Sequence, residues 1–173
     1  TMYYYNNMIS ELSNPGAIAT SGYDYNMLSG FYVESGGTFK GFYNNTVYLD
    51  SPALSSDYGS SAFCAYSLAG IDLRNNIFVN TSASAGPDGK TVGIRSRTSS
   101  LTGFTSNYND IYAGVPGPAN QIFYHGSYPT YSGAQTLNDY KTLVTPQELQ
   151  SITEDPPFIN VATSPYNVHL KNN

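Results

Sequence analysis

Four charged residues stand at spacings that could do chemistry: Asp72 with Arg74, and Arg95 with Arg97. On strands, alternation places each i, i+2 pair on one face. If the two strands share a surface, three guanidinium groups and one carboxylate could grip an acidic sugar. If they do not, the same residues form weak solvent-facing ion pairs. His125 and His169 are 44 residues apart and have no Cys or carboxylate at ligand spacing, which excludes a zinc motif. No metal site is assigned; calcium, held by loop carboxylates such as Asp57 or Asp88 together with backbone oxygens, is the one metal the residues leave open. Cys64, within Ala62-Phe63-Cys64-Ala65-Tyr66, reads as a small buried hydrophobe rather than a reactive thiol. Nucleophile triads, phosphate-binding glycine loops and dinucleotide fingerprints are absent, so no catalytic residue and no organic cofactor are assigned.

Tyrosine is the other chemistry-bearing residue, with 17 copies against no tryptophan. Tyr5, Tyr43, Arg74 and Tyr108 precede four Asn-containing corners, and Ser10, Tyr48, Val79 and Tyr112 follow them. Stacked turn upon turn, these residues form outward columns that bind sugar rings, bury against another chain, or serve as cross-strand ladders within the sheet.

The corners that position them recur. Tyr4-Tyr5-Asn6-Asn7-Met8-Ile9, Phe42-Tyr43-Asn44-Asn45-Thr46-Val47, Leu73-Arg74-Asn75-Asn76-Ile77-Phe78 and Asn107-Tyr108-Asn109-Asp110-Ile111 share a β-type run, a corner and an apolar residue two positions on. Their markers, Asn7, Asn45, Asn76 and Asn109, are 38, 31 and 33 residues apart. A second series, anchored on Phe31, Phe63, Ile94 and Phe123, steps by 32, 31 and 29. Two series with one period mark a solenoid. No window shows the paired amphipathic helices of a helical repeat, so the fold class is all-β, a right-handed parallel β-helix. An Asn at a sharp corner tolerates the left-handed backbone and can both donate and accept, which makes these four structural. Ile9, Val47, Phe78 and Ile111 should stack inside. The stretches Ser13 to Gly22, Ser51 to Ser61, Ala83 to Lys90 and Ala113 to Asn120 are loops.

Residues 1–135 therefore read as β-helix turns and residues 136–173 as a closing segment with short helices and irregular strands. Leu137, Tyr140, Leu143 and Val144 lie at helical spacing, and Thr145-Pro146-Gln147-Glu148 has the form of a second helix start. The phrase Ser151-Ile152-Thr153-Glu154-Asp155-Pro156-Pro157-Phe158-Ile159-Asn160, followed by Asn167-Val168-His169-Leu170, resembles the closing segment of secreted bacterial parallel β-helix proteins. With the Asn-Asn-Ile-Phe-Val and Asn-Asn-Thr-Val-Tyr-Leu phrases, it is similar to the pectate-lyase-like superfamily as found in large surface proteins of Bacteroidota-type bacteria. The resemblance covers Tyr4 to Leu170 and implies an extracellular or cell-surface location, within a longer chain.

Only 11% of residues are charged, with Lys+Arg 7 against Asp+Glu 12. This excludes a basic nucleic-acid surface, and no apolar run reaches the roughly 20 residues of a membrane helix. The expected function is a non-catalytic module for adhesion, matrix assembly or polysaccharide binding, whose partners are polysaccharide or other surface chains. Two alternatives stand beside it: a polysaccharide lyase or glycoside hydrolase with catalytic residues partly outside this chain, and a self-associating filament or sheath subunit.

Overall fold

The Asn corners divide the chain into strands that belong to different sheets. In the computed structural model, which describes residues 1–16, 28–34, 38–127 and 129–172, β1 (Met2–Tyr5) and β2 (Met8–Ile9) flank the first corner and β3 (Leu28–Val33) follows. The next turn runs β4 (Lys40–Tyr43), β5 (Thr46–Leu49) and β6 (Ser60–Ala65), then β7 (Ile71–Arg74), β8 (Ile77–Asn80) and β9 (Thr91–Ser96). The last holds β10 (Thr105–Asn107), β11 (Asp110–Tyr112) and β12 (Asn120–Ser127), after which β13 (Thr130–Ala134) turns back. Corresponding strands stack as β1-β4-β7-β10, β2-β5-β8-β11 and β3-β6-β9-β12. All of these pairings are parallel, giving a parallel β-solenoid of about 3 turns. The loop stretch Ser13 to Gly22 lies partly outside the described residues.

Both sequence series are true registers. Phe31 pairs with Phe63, Phe63 with Ile94, and Ile94 with Phe123. Ile9, Val47, Phe78 and Ile111 form one column, and the last three are wholly buried. The tube is narrow where the second and third sheets face each other. A Cβ at Gly30 would lie 2.3 Å from Val47 Cγ1, and one at Gly93 would lie 2.5 Å from Ile111 Cγ2. Rings of Phe31, Phe42, Phe63 and Phe78 fill the remainder, with Phe42 edge-on to Phe63 at 5.0 Å. Burying each such side chain contributes about 1.5–3 kcal/mol.

At each corner the first residue adopts a left-handed backbone, Asn6, Asn44, Asn75 and Tyr108 with φ of 56, 55, 56 and 58°. The next residue is the ladder Asn. Asn7 Nδ2 donates to Asn45 Oδ1 (2.8 Å), Asn45 Nδ2 to Asn76 Oδ1 (2.9 Å) and Asn76 Nδ2 to Asn109 Oδ1 (3.0 Å). The same oxygens accept the backbone N–H of the preceding Asn. Tyr108 thus belongs to the left-handed slot; the residue in register with Tyr5, Tyr43 and Arg74 is Asn107. The corner keeps its register at Asn109 and differs only in holding Tyr, not Asn, at its first position, so the residue that precedes it is Asn107.

One helix is present among the described residues, α1 (Leu137–Val144), started by a Thr136 capping box with Asp139. It buries Leu137, Tyr140 and Val144 over the end of the tube, with Tyr140 stacked on Phe123 at 4.4 Å. The expected second helix at Thr145 does not form: Thr145 caps α1, and Gln147 and Glu148 bond to β10 instead. A hairpin, β14 (Phe158–Asn160) and β15 (Asn167–Leu170), completes the chain.

Candidate functional site

Asp72 and Arg74 lie on the outer face of the first sheet, while Arg95 lies on the third and Arg97 just beyond it. The four-residue charged surface is therefore divided in two. Arg74 Nε meets Asp72 Oδ1 at 2.8 Å, and Tyr43 Oη donates to Asp72 Oδ2 at 2.9 Å. Gly41 makes this possible, since a Cβ there would stand 2.6 Å from the Tyr43 ring. Burial and the Asp72 carboxylate hold the Tyr43 hydroxyl above its ordinary range, and Asp72 raises the Arg74 guanidinium. Here the charges satisfy one another, as in a surface ion pair. Tyr5, 62% exposed, stands next to Tyr43 at the N-terminal edge.

The column after the corner has a different fate. Tyr48, Val79 and Tyr112 are in register, but the closing hairpin covers them. Phe158 and Val168 pack on Tyr48 and Val79, with Tyr112 and Tyr166 alongside. Tyr166 Oη donates to Asp50 Oδ2 at 2.6 Å; this bond first, then burial, pushes its pKa up to about 12. The tyrosine face expected for a partner is occupied by the chain's own tail, because a sequence period does not show which strand face a distant segment will cover.

The third sheet brings together what the spacing did not. Tyr32, Cys64, Arg95 and Tyr124 form one register column. The Arg95 guanidinium carbon lies 4.8 Å from the Tyr124 ring centre, and that of Arg97 lies 5.4 Å from the Tyr66 ring. Arg97 Nη1 donates to Tyr32 Oη at 2.8 Å, and the Tyr32 hydroxyl donates to Glu34. Burial and Glu34 raise the Tyr32 hydroxyl pKa against the pull of Arg97. Tyr131 on β13 stacks on Tyr124 at 5.6 Å, so the aromatic strip continues around the sheet edge. Tyr32 and Tyr66 are 43% and 46% exposed. The signal available in sequence was the alternation Tyr32–Glu34, Cys64–Tyr66 and Arg95–Arg97 at the period of the Phe series.

The remaining candidates are dispersed. His125 is buried, stacked on Phe123 at 5.3 Å, and its pKa is lowered by desolvation. His169 is exposed on β15, bonded to Asn167. Cys64 is buried, as its strand context implied. Asp57 and Asp88 sit in adjacent loops, Asp57 Oδ1 accepting the Asp88 N–H at 3.3 Å. Among the described residues no group of three or more His, Cys, Asp or Glu is arranged around a common centre suited to a metal ion.

Sequence reasoning missed the ladder's terminus. Asn109 N–H donates to Ser151 Oγ (2.9 Å), and its Nδ2 lies 3.4 Å from Glu148 Oε2. Glu148, fully buried with φ 59°, also accepts Ser106 Oγ at 2.5 Å and the Ser151 hydroxyl. Ile152 pairs in parallel with Asp110. Gln147–Ile152 is thus an abbreviated further rung, beyond the one formed by β10, β11 and β12. No family model, curated protein or solved structure matches this chain, so its architecture and these surfaces stand on the chain's own residues.

Proposed function

We propose that this chain is a non-catalytic extracellular module that binds acidic polysaccharide along the outer face of the third sheet. The observation that carries the reading is the accessible part of that face, where the half-buried Arg97 lies over the exposed Tyr66 ring and donates to the exposed Tyr32, while Arg95, only 3% exposed, backs the Tyr124 ring from beneath. Successive rungs are about 4.8 Å apart, so an extended glycan laid across them meets the rings of Tyr32, Tyr66 and Tyr124 and the guanidinium of Arg97. Aromatic faces take the C–H faces of sugars, and guanidinium groups take their carboxylates. The pectate-lyase-like kinship and a place within a longer surface protein belong to the same proposal, supported by the Asn corners and the closing phrases.

Retention on an acidic polysaccharide column tests it, with glycan length measured in parallel. Retention without shortening, lost in Arg97→Ala with Tyr66→Ala and kept in Arg74→Ala, supports the module. Retention unaffected by the double change, or shortened glycan, overturns it.

A further inference from the structure

A groove of about 380 Å³ runs beside the Asn ladder, between the last corners and the closing segment. Its walls carry Asn75 and Tyr108 from the corners, Asp110 from β11, and Gln150, Glu154 and Pro157 from the closing segment. It lies on the far side of the corner from Arg74 and on different strands from the third-sheet face.

Tyr108 is the anomaly. Three of the four left-handed corner positions hold Asn, the residue that tolerates this backbone, and the fourth holds Tyr at φ 58°. A bulky residue there is strained, and such strain is retained where it serves a site. The Tyr108 side chain is 58% exposed, so core packing does not account for it. It stands at the groove.

Charge narrows the ligand. The ionisable carboxyls at the groove are Asp110 and Glu154, and Asp155 is close enough to act on Asp110 as well. The nearest described cation across the corner, Arg74, is already held by Asp72. On the hairpin side His169 and Lys171 flank Leu170, the residue that reaches the groove. Asp110 Oδ1 accepts the Glu154 N–H at 2.9 Å, leaving its other oxygen available. Among the described residues the side-chain amides of Asn75 and Gln150 make no hydrogen bond. The floor of the groove is apolar, with Ile77, Ile152 and Leu170; with an aromatic ring, two amides and two carboxylates at its rim it is the complement of a ring that has apolar C–H faces, hydroxyls at its edge and one positive charge.

We propose that this groove binds a pyranose carrying a protonated amine, as in a glucosamine oligomer. Tyr108 underlies the C–H face and the cation. Asp110 and Glu154 meet the ammonium, and Asn75 and Gln150 take hydroxyls. Desolvation and the neighbouring acids hold the Asp110 pKa up at about 6, and an arriving cation stabilises its anion, so binding below that pH releases a proton. This site is independent of the acidic-polysaccharide face.

The test is calorimetric titration with a glucosamine trimer, an N-acetylglucosamine trimer and a galacturonate trimer. The expected result is binding of the first, weakened at least about tenfold by Tyr108→Asn and by Asp110→Asn, a loss of roughly 1.4 kcal/mol, and unchanged in Arg97→Ala. Tyr108→Asn relieves the corner, so its loss of binding is not loss of fold. Absence of glucosamine binding, equal binding of the N-acetylated or uronate trimers, or full affinity in Tyr108→Asn overturns the proposal. Failure of the third-sheet proposal leaves it standing, because that outcome is read on Arg97 and Tyr66.

Discussion

Glu148 closes the Asn ladder at Asn109: its Oε2 lies 3.4 Å from Asn109 Nδ2, and its backbone N–H donates to Ser106 O at 2.8 Å. The carboxylate accepts from two serine hydroxyls where another Asn amide would otherwise stand. Glu148→Ala leaves the Ser106 and Ser151 hydroxyls without their buried acceptor and should cost about 2–4 kcal/mol, whereas Glu148→Gln keeps an acceptor and should cost less than half of that. Urea midpoints of the two variants check the order.

The ladder is not uniform in strength along its length. Asn76 is buried, accepts from Asn45, and donates to Asn109 and to Phe42 O at 2.9 Å. Asn7, exposed, makes the same contacts toward one side only. Asn76→Ala should therefore lower stability by roughly 3 kcal/mol and Asn7→Ala by under about 1 kcal/mol, read as thermal midpoints.

Tyr108→Asn should stabilise. Restoring the residue found at the other three corners relieves about 1 kcal/mol of backbone strain, a rise of about 2–4 °C in Tm for a chain of this size. A fall in Tm would show that the Tyr108 ring contributes more to the fold than its backbone costs.

Asp110 gives a pH signature of defined sign. Its folded pKa, raised from 3.8 to about 6 by burial against the counteracting Glu154 N–H and with help from the Glu154 and Asp155 charges, lies above the unfolded value. The folded state then binds the proton more tightly, so this contribution is full below the unfolded pKa and is lost as pH rises through about 6. After allowance for solvent screening the effect is on the order of 1 kcal/mol. The difference in unfolding free energy between wild type and Asp110→Asn, followed from acidic to neutral pH, should change in this window and be flat above it.

Gly93→Ala would press a methyl against Ile111 Cγ2 at 2.5 Å and Ile122 O at 2.8 Å. Because one neighbour is backbone, the strain cannot be relieved by a rotamer, and a loss of about 2–3 kcal/mol follows. Chemical denaturation measures it directly.

What the sequence made legible was whatever repeats. Asn7, Asn45, Asn76 and Asn109, the Ile9–Ile111 column and the Phe31–Phe123 series are set by local backbone needs and inward packing, which recur every turn. Helix α1 was legible because Leu137, Tyr140, Leu143 and Val144 keep helical spacing, a local pattern. The surfaces were not. Arg74 and Arg95 share the charge and spacing pattern but belong to different sheets. Tyr48 and Tyr112 match Tyr5 and Tyr43 in pattern, yet are covered by Phe158 and Tyr166 from over 40 residues away. Glu148 reads as helix-forming in its own neighbourhood and is recruited by Ser106 and Asn109 from β10 and the last corner. Each failure is a long-range contact made once, and period carries no information about contacts made once.

The terminus at Glu148 separates where the ladder stops from how many turns precede it. In a solenoid a turn touches only the turns beside it, and Gln147–Ile152, β13 and α1 engage only the last of them. The stop is indifferent to the number of turns before it, whereas the closing hairpin, which packs on Tyr48 and Val79 and bonds to Asp50, ties the tail to the turns it covers. Each turn shifts whatever the solenoid carries by about 4.8 Å, so the fold is a ruler with its zero mark fixed at one end.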